Sequence, residues 1–563
     1  MKKTFYITGI MLVLLLGGCS DFLENDPRGV LSEEELVTPE NVEGFMTAAY
    51  ASLGNDHYDT PFSLWPYGNV RSDDAYKGGS GTNDIQAFHF FEVSNNIRPD
   101  FGELDRFWYS SYVGISRANK ALRALDQLTS EEYPLKETRR GEMLFLRGHF
   151  YFMLKIMYRN IPYVTEDTPI ADYATISNRE MNNDELWDAI ASDFELAAAN
   201  LPQMQTQVGR ASQIAAYSYL AKTRLYQAYE QTDNYTVTGV NPARLQQVIA
   251  ATDNVIGLAQ LETDFSSNFL PGEYENGVES IFAIQFSDND GTLFGRLNFS
   301  DVLSTPQGLG CCDFHKPSQN LVNSFKTENG LPMFNTFNDD DLEYSQLNDF
   351  DVDPRLYHTV AIPGLPWKYS GDLTYQESWN RSPGTYGYFA SLKENVDPAC
   401  GCVVNIDPFY GNTKNRIQIR YADVLLMRAE ALIELGQHSQ ALPIINQIRQ
   451  RAGQSTALIS DYATNLNIAQ YVDGTNCNWT QDYAREALRW ERRLELAMEG
   501  SRFFDLVRWG IADQVLNAYY TEEQDDRSYY NEAFFDKNAE EYVPIPLAQI
   551  NFSQGVYKQN LGY

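Results

Sequence analysis

The sequence predicts a mostly α-helical protein in which tetratricopeptide-like helical hairpins carry long, loop-rich insertions with short β-strands. Between Arg420 and Gly453, apolar residues recur at helical spacing on both sides of a turn at Gly436, which indicates two antiparallel helices. Small residues lie where these helices must approach closely, as in tetratricopeptide repeats, whose hairpins bury their faces by stacking on one another. Two long stretches without helical periodicity interrupt the pattern and form the predicted insertions.

Helical periodicity predicts about four hairpins in chain order. Their helix pairs are 42–53 with 107–128, 135–159 with 184–201, 212–231 with 242–259, and 420–435 with 438–452. The 135–159 helix carries apolar residues on two sides, so we expect neighbours on both sides and a central position. A charged helix from Glu486 to Arg508 is expected to use its Glu and Arg side chains in structural ion pairs.

One body is expected over residues 42–563. Its helical scaffold is predicted at 42–267 and 416–563, and its ligand-binding insertions at 54–102 and 268–415. Irregular stretches of this length are either functional or disordered, and the Trp and Tyr residues of the first insertion favour an ordered, functional loop.

The N-terminus is typical of a bacterial lipoprotein signal. Residues 1–18 carry two lysines directly after Met1, continue with an apolar run too short to span a bilayer, and end in small residues before Cys19. Cys19 is therefore predicted to be acylated, with residues 19–41 as a tether to the lipid anchor. The alternative is an ordinary signal peptide with an incidental cysteine.

Composition narrows the class of ligand. The formal net charge of −33 argues against nucleic acid, an anionic membrane surface and polyanionic substrates. The chain has 36 Tyr and 8 Trp, whose flat apolar faces and polar edges suit contacts with sugars or protein partners. Most of these rings are expected to serve the core of a large helical protein, and a neutral ligand fits best.

Several segments resemble the SusD/RagB family of surface lipoproteins. The resemblance runs in the same order over nearly the whole chain, in the lipobox cysteine Cys19, the helix segment RRGEMLFLRGHFYF with Arg140, Glu142 and Arg147, Asp353-Pro354-Arg355, Tyr421-Ala422-Asp423 to Glu430-Ala431, Glu491–Glu495 through Glu499-Gly500 to Asp505–Trp509, and Pro544-Ile545-Pro546. It implies an outer-membrane lipoprotein that faces the cell exterior, caps a SusC-like TonB-dependent transporter and hands it oligo- or polysaccharide.

The six cysteines leave more than one pairing open. Consecutive Cα atoms lie about 3.8 Å apart across a trans peptide, below the usual span of a disulfide, so Cys311 and Cys312 either form a vicinal bond or stay free or pair elsewhere. A zinc site with His315 and Cys400 or Cys402 fits no standard spacing. With Cys19 acylated, five cysteines remain and at least one is unpaired. Within the family, such a cysteine pair resembles fructan-binding members, which makes a fructan such as levan the favoured ligand.

No catalytic motif is present: the chain lacks HExxH, GxSxG, a P-loop and a dinucleotide fingerprint. We therefore predict a binding protein that is not an enzyme, with no catalytic residues, cofactor or metal. Two alternatives stay open. A surface glycoside hydrolase could draw its two acids from distant segments, and some relatives of this kind capture peptides for import.

The predicted ligand-binding residues come from the two insertions. A vicinal disulfide would present a flat, rigid, apolar plate suited to a sugar ring, and aromatic rings would act in the same way. The stacking candidates are Trp65, Tyr67, the Cys311–Cys312 pair and Tyr410, and the hydrogen-bonding candidates are Asn69, Asp73, Asp74 and Arg381, with Trp367, Trp379 and Tyr386 in reserve. The competing interpretation for each is a role in packing its own loop.

Overall fold

The computed structural model describes residues 37–291 and 296–563. The predicted signal peptide, the acylated Cys19 and most of the tether lie outside these residues, so the lipoprotein anchor stays a prediction. Within the described ranges, no helix combines the length and apolarity needed to cross a membrane.

Sixteen α-helices are described, and they account for most of the regular structure. In chain order they are α1 (Val42–Ala51), α2 (Gln86–Glu92), α3 (Gly102–Asp126), α4 (Lys136–Tyr158), α5 (Asn183–Asn200), α6 (Gln213–Ala228), α7 (Pro242–Asp253), α8 (Gln319–Ser324), α9 (Arg355–Thr359), α10 (Pro383–Tyr386), α11 (Tyr421–Glu434), α12 (His438–Gln454), α13 (Gln481–Glu495), α14 (Arg502–Arg508), α15 (Ala512–Asp526) and α16 (Leu547–Phe552). The mostly helical class is confirmed.

The long helices pack as a continuous series. Helix α1 lies on α3, and α3 to α7 each pack on the next; after the second insertion α11 returns to pack on α7 and carries α12 and α13. The helices of all four predicted hairpins are therefore present, each beside its predicted partner. Their tetratricopeptide geometry stays a prediction.

Helix α4 lies at the centre of this series, as its two apolar sides predict. Every residue from Gly141 to Tyr158 is buried. Gly148 lets α5 approach closely, because a Cβ at this position would lie 2.8 Å from the ring of Phe194. A helix with neighbours on every side needs small residues at such crossings.

Short antiparallel strands connect the insertions to the scaffold. The strands are β1 (Ala75–Gly78), β2 (Tyr229–Gln231), β3 (Val237–Val240), β4 (Ser280–Ile284), β5 (Phe314–Pro317), β6 (Lys326–Glu328), β7 (Leu331–Pro332), β8 (Asp351–Val352), β9 (Val360–Ala361), β10 (Ala390–Ser391), β11 (Val403–Ile406), β12 (Phe409–Asn412) and β13 (Arg416–Arg420). Strand β1 pairs with β5, so the first insertion is joined to the second. Strand β4 pairs with β13, which brings the two ends of the second insertion together.

The first insertion is more regular than its sequence predicts. Besides β1 and α2 it contains a π-helical turn, Trp65–Val70, entered through Leu64 in the left-handed region. This turn lies against α14. Gly68 contacts the backbone of Gly500 so closely that no side chain fits between them.

The charged segment near the C-terminus is two helices, α13 and α14, which corrects the predicted single helix. Gly500 breaks it: its φ is +81°, and a Cβ there would lie 2.5 Å from the carbonyl oxygen of Ser63. The prediction of structural ion pairs is confirmed. Glu495 is fully buried and accepts hydrogen bonds from Arg355 at 2.9 Å, from Arg420 at 2.5 Å and from Arg451.

Candidate functional site

The second insertion presents a surface patch around a vicinal disulfide. We call it the disulfide patch and define it as Gly308–Cys312, Trp379, Arg381 and Tyr410 of the second insertion together with Asp84, which the first insertion contributes. It lies beside a small apolar cluster of the insertion, in which Trp367 and Tyr375 are fully buried and against which Leu309 and Trp379 pack. The patch therefore has its own rigid base, separate from the main helical core.

Cys311 and Cys312 are bonded to each other, which decides the open question of their pairing. The Cys312 backbone N–H donates to the Leu303 carbonyl at 3.3 Å, and the next N–H donates to that of Thr305 at 2.8 Å. Cys312 is buried, whereas Cys311 is partly exposed. The bond thus presents one of its two ends to solvent.

The other cysteines of the described ranges are Cys400, Cys402 and Cys477. Cys400 is bonded to Cys402, and Cys477 is the free cysteine among the described residues. The prediction of at least one unpaired cysteine is confirmed. The zinc alternative is wrong because its four thiols are consumed in disulfides, and no group of His, Cys, Asp and Glu within the described ranges is placed to hold a metal ion.

Two glycines before the disulfide bring aromatic rings against the loop. A Cβ at Gly308 would overlap the indole of Trp379, with Nε1 only 2.6 Å away. A Cβ at Gly310 would lie 3.0 Å from Cβ of Tyr410. The run Gly308-Leu309-Gly310 therefore keeps both aromatic side chains in direct contact with the disulfide loop, and Trp379 and Tyr410 both remain partly exposed.

A buried polar network holds the disulfide loop in place from below. The carboxylate of Asp313 pairs with Lys316 at 2.9 Å and accepts the backbone N–H of Arg381 at 2.7 Å. Lys316 also donates to Asn380 at 2.5 Å, and the hydroxyl of Tyr375 donates to the same amide oxygen at 2.8 Å. Burial raises the pKa of Asp313 against the opposing effect of Lys316. The network fixes the loop and the Arg381 segment relative to each other.

Arg381 and Asp84 form an ion pair at the rim of the patch. Arg381 Nη1 lies 3.2 Å from Oδ2 of Asp84, and the two side chains are 34% and 26% exposed. Asp84 is positioned by the backbone N–H and the hydroxyl of Ser80, at 2.9 Å and 3.0 Å. An exposed pair of this kind contributes only about 0–1 kcal/mol to stability, so its groups are available to a ligand at little cost.

Tyr410 belongs to the hairpin of β11 and β12, where it lies opposite Asn405. The Cys400–Cys402 bond closes the turn just before β11, and the ring of Phe409 packs on Tyr58 at 5.1 Å between centroids. Burial raises the pKa of Tyr410, with Asp397 adding to the effect, so its hydroxyl stays protonated and able to donate at neutral pH.

Three predicted contact residues from the first insertion are buried, so the structure corrects their surface role. Trp65 is 1% exposed, donates to the Ser300 carbonyl at 2.9 Å and stacks on His315 at 5.1 Å. Tyr67 is fully buried between aromatic rings. Asn69 bonds His315 at 2.8 Å and accepts the backbone N–H of Gly500 at 3.0 Å. All three hold the π-helical turn against the scaffold.

The structure also corrects the predicted surface role of Asp73 and Asp74, because both residues are buried. Asp73 pairs with Arg502 at 2.8 Å and with Arg493 at 3.1 Å, and Asp74 pairs with Arg493 at 2.8 Å. Burial opposes ionisation of Asp73, but the two arginines outweigh it and hold its pKa well below the ordinary value. Both carboxylates neutralise buried arginines of the scaffold and have no surface left for a ligand.

The structure thus brings four of the nine predicted residues together: Cys311, Cys312, Arg381 and Tyr410. Of the reserve aromatics, Trp379 joins them, whereas Trp367 and Tyr386 are buried. Asp84 was not among the predicted residues. For the contacts of Trp379 and Tyr410, the glycines on either side of Leu309 were an available signal, since glycine marks positions of close approach.

The fold and the patch together define a helical-scaffold protein that carries a rigid aromatic and disulfide surface on its insertions. A family model described as the SusD family matches residues 278–563, and one described as starch-binding and associating with the outer membrane matches residues 21–225. The first model alone spans half of the chain. The protein belongs to the SusD family, as its sequence resemblance predicts.

Similar proteins are known along the whole length of the chain. SusD-like protein P2 of Formosa agariphila is 25% identical over 574 aligned residues that cover 100% of both chains. A laminarin-binding SusD-like protein superposes with a TM-score of 0.65 at 23% identity, covering 93% of this chain and 100% of its own. Surface glycan-binding protein A from Bacteroides fluxus gives a TM-score of 0.69 at 21% identity, with 93% and 100% coverage. These two structures share the fold.

Proposed function

We propose that the protein captures a neutral oligo- or polysaccharide at the disulfide patch and does not convert it chemically. The observation that carries this proposal is the combination of flat apolar groups with a charged hydrogen-bonding pair on one exposed surface. The Cys311–Cys312 bond, Trp379 and Tyr410 would pack on the C–H faces of sugar rings. Arg381 and Asp84 would donate to and accept from the hydroxyl groups at their rims.

Rigidity of the patch supports binding of a flexible chain. The disulfide, the two glycine contacts and the buried Asp313–Lys316 pair fix the apolar groups before a ligand arrives. Association then costs less ordering of protein side chains, which raises affinity for a given contact area.

Charge limits the class of glycan. A formal net charge of −33 disfavours association with sulfated or uronic acid-rich polymers. Among neutral glycans, fructans such as levan are the first to test because the vicinal cysteine pair resembles that of fructan-binding members. A β-glucan such as laminarin is the second, because one structural neighbour binds laminarin.

Family membership supports the cellular setting that the sequence suggests. The protein would be anchored in the outer membrane through an acylated Cys19, face the cell exterior and pass its glycan to a SusC-like TonB-dependent transporter. The description of the second family model, which names association with the outer membrane, agrees with this placement.

Calorimetric titration of the purified protein with a panel of neutral glycans tests the proposal. We expect heat with at least one glycan and at least tenfold weaker binding in the Cys311→Ser/Cys312→Ser variant, equivalent to about 1.4 kcal/mol. The matched control, Cys477→Ser, removes a thiol far from the patch in sequence and should bind normally. The absence of heat with every glycan would refute the proposal, and shorter products after incubation would favour the hydrolase alternative. Heat with peptides alone would favour peptide capture.

A further inference from the structure

A cavity of about 140 Å³ is lined by residues that do not belong to the disulfide patch. Helices α4 and α6 of the scaffold form one side, with His149, Phe152 and Lys222 in the wall. Segments of the second insertion form the other side and contribute Lys393 and Lys414. The cavity therefore lies where the helical scaffold and the insertion meet.

Cationic side chains exceed acidic ones in the wall. Four cationic side chains line the cavity (Lys222, Lys393, Lys414 and Arg416), against three acidic ones (Asp301, Glu394 and Glu499). The two histidines in the wall are His149 and His315. Burial, with Arg416 and Lys222 adding to it, lowers the pKa of His149 to about 3, so this ring is neutral at physiological pH.

Three of the four cations have an acidic partner. Lys222 pairs with Asp423 at 3.3 Å, Lys393 with Glu499 at 2.7 Å, and Arg416 with Asp56 at 2.9 Å. The guanidinium of Arg416 is only partly satisfied by this ion pair, because its Nε and Nη2 are buried and have no hydrogen-bond partner.

Each acidic side chain in the cavity wall also has a hydrogen-bond or ion-pair partner. Asp301 accepts the amide of Asn298 at 2.8 Å, and Glu394 pairs with His315 at 2.6 Å. Glu499 is shared between Lys393 and Arg420, at 2.7 Å and 2.9 Å. Each acid is thus held in place by a neighbour of its own.

Lys414 is the exception. The residue is 7% exposed and lines the cavity, and within residues 37–291 and 296–563 its ammonium has neither a hydrogen-bond partner nor an ion pair. Burial lowers its pKa, and Asp301, Glu394, Glu275 and Glu499 act on it only through longer-range attraction. A charge that is largely removed from bulk water is costly to leave unpaired, so native structures normally provide a partner for it.

We propose that this cavity is a binding site for a small monovalent anion, held by Lys414 and supported by the positive charge of Arg416. One unpaired ammonium compensates one negative charge, and the three acids in the wall disfavour a second. The volume admits a halide ion or a short carboxylate such as formate. Because both the scaffold and the insertion supply the wall, a bound anion would join the two parts and stabilise the fold.

Anomalous diffraction from crystals soaked in sodium bromide tests the site directly. Bromide is a monovalent anion, and its anomalous signal reveals its position in the crystal. We expect a peak inside the cavity in contact with Lys414 Nζ, and its loss in Lys414→Met, which replaces the side chain by an unbranched, uncharged one that is a single atom shorter. A cavity that holds only water in the wild-type protein would overturn the proposal.

Thermal unfolding gives a second, independent test in solution. Sodium formate should raise Tm progressively relative to sodium gluconate at the same ionic strength, because gluconate is a far bulkier monoanion. The Lys414→Met protein should lose this difference, and the matched control Lys558→Met, which changes an exposed lysine, should keep it. Equal Tm values in the two salts for the wild-type protein, or a difference that survives in Lys414→Met, would contradict the proposal. Neither result depends on glycan binding.

Discussion

Replacing Gly308 with alanine tests whether Trp379 contacts the ligand. The new methyl group would lie 2.6 Å from Nε1 of the indole and closer still to two of its carbons. Carbon atoms pack at about 3.5–4.0 Å, so the ring must move by about 1 Å or more. Trp379 is partly exposed and can swing outward. The loss of stability should therefore stay near the lower end of the usual cost of overpacking, about 1 kcal/mol.

The effect on binding should be larger than the effect on folding. An aromatic contact at the centre of a binding surface is typically worth about 1–3 kcal/mol, which corresponds to about 5-fold to 150-fold in Kd. The assay is calorimetric titration with the glycan that gives the strongest heat, alongside chemical denaturation of the same preparation. Gly384→Ala is the matched control, because a Cβ there meets nothing within 4 Å. Unchanged affinity in a folded Gly308→Ala protein would refute the role of Trp379.

Three further predictions follow from the ion pairs and from one buried carboxyl. Glu495→Gln should lower the free energy of unfolding by about 3–5 kcal/mol, because buried arginines lose their partner, whereas Glu486→Gln, on the exposed side of the same helix, should change it by less than about 0.5 kcal/mol in denaturant titrations. Arg381→Ala should weaken glycan binding about tenfold in calorimetry and leave the midpoint of denaturation nearly unchanged, since its ion pair is exposed; a large loss of stability would contradict this. Burial raises the pKa of Glu523 from 4.5 to about 7, so the folded protein retains a proton that the unfolded chain releases. Its contribution to stability is complete below pH 4.5 and is lost as pH rises to about 7, and Tm measured against pH should fall more steeply over this window in the wild type than in Glu523→Gln.

The scaffold could be predicted from sequence because its signals are local. The apolar spacing of α4 on two sides specifies both a helix and its central position, and the structure buries its residues 141–158 without exception. The elements of the insertions depend instead on distant partners. Ser318, just after β5, donates to the Asp73 carbonyl 245 residues earlier in the chain. No local pattern indicates such a pairing.

The predicted binding residues divide in the same way, into those with a local sequence signal and those whose partners lie far away in the chain. Asp73 and Asp74 lie in a loop-like segment rich in aromatic residues, which favours a surface role. Their arginine partners follow more than 400 residues later; the Arg493–Asp74 pair, for example, spans 419 residues. Adjacent cysteines carry their chemistry with them, so the vicinal bond was among the predicted pairings; in the structure Cys311 is partly exposed and Cys312 is buried. Asp84 was missed because its partner, Arg381, lies 297 residues away.

A crystal structure of the protein with its bound oligosaccharide tests the central claim most directly. We expect a sugar ring packed on the Cys311–Cys312 disulfide and Trp379, with Arg381 and Asp84 hydrogen-bonded to its hydroxyl groups. An oligosaccharide bound elsewhere, with the disulfide patch unoccupied, would contradict the account.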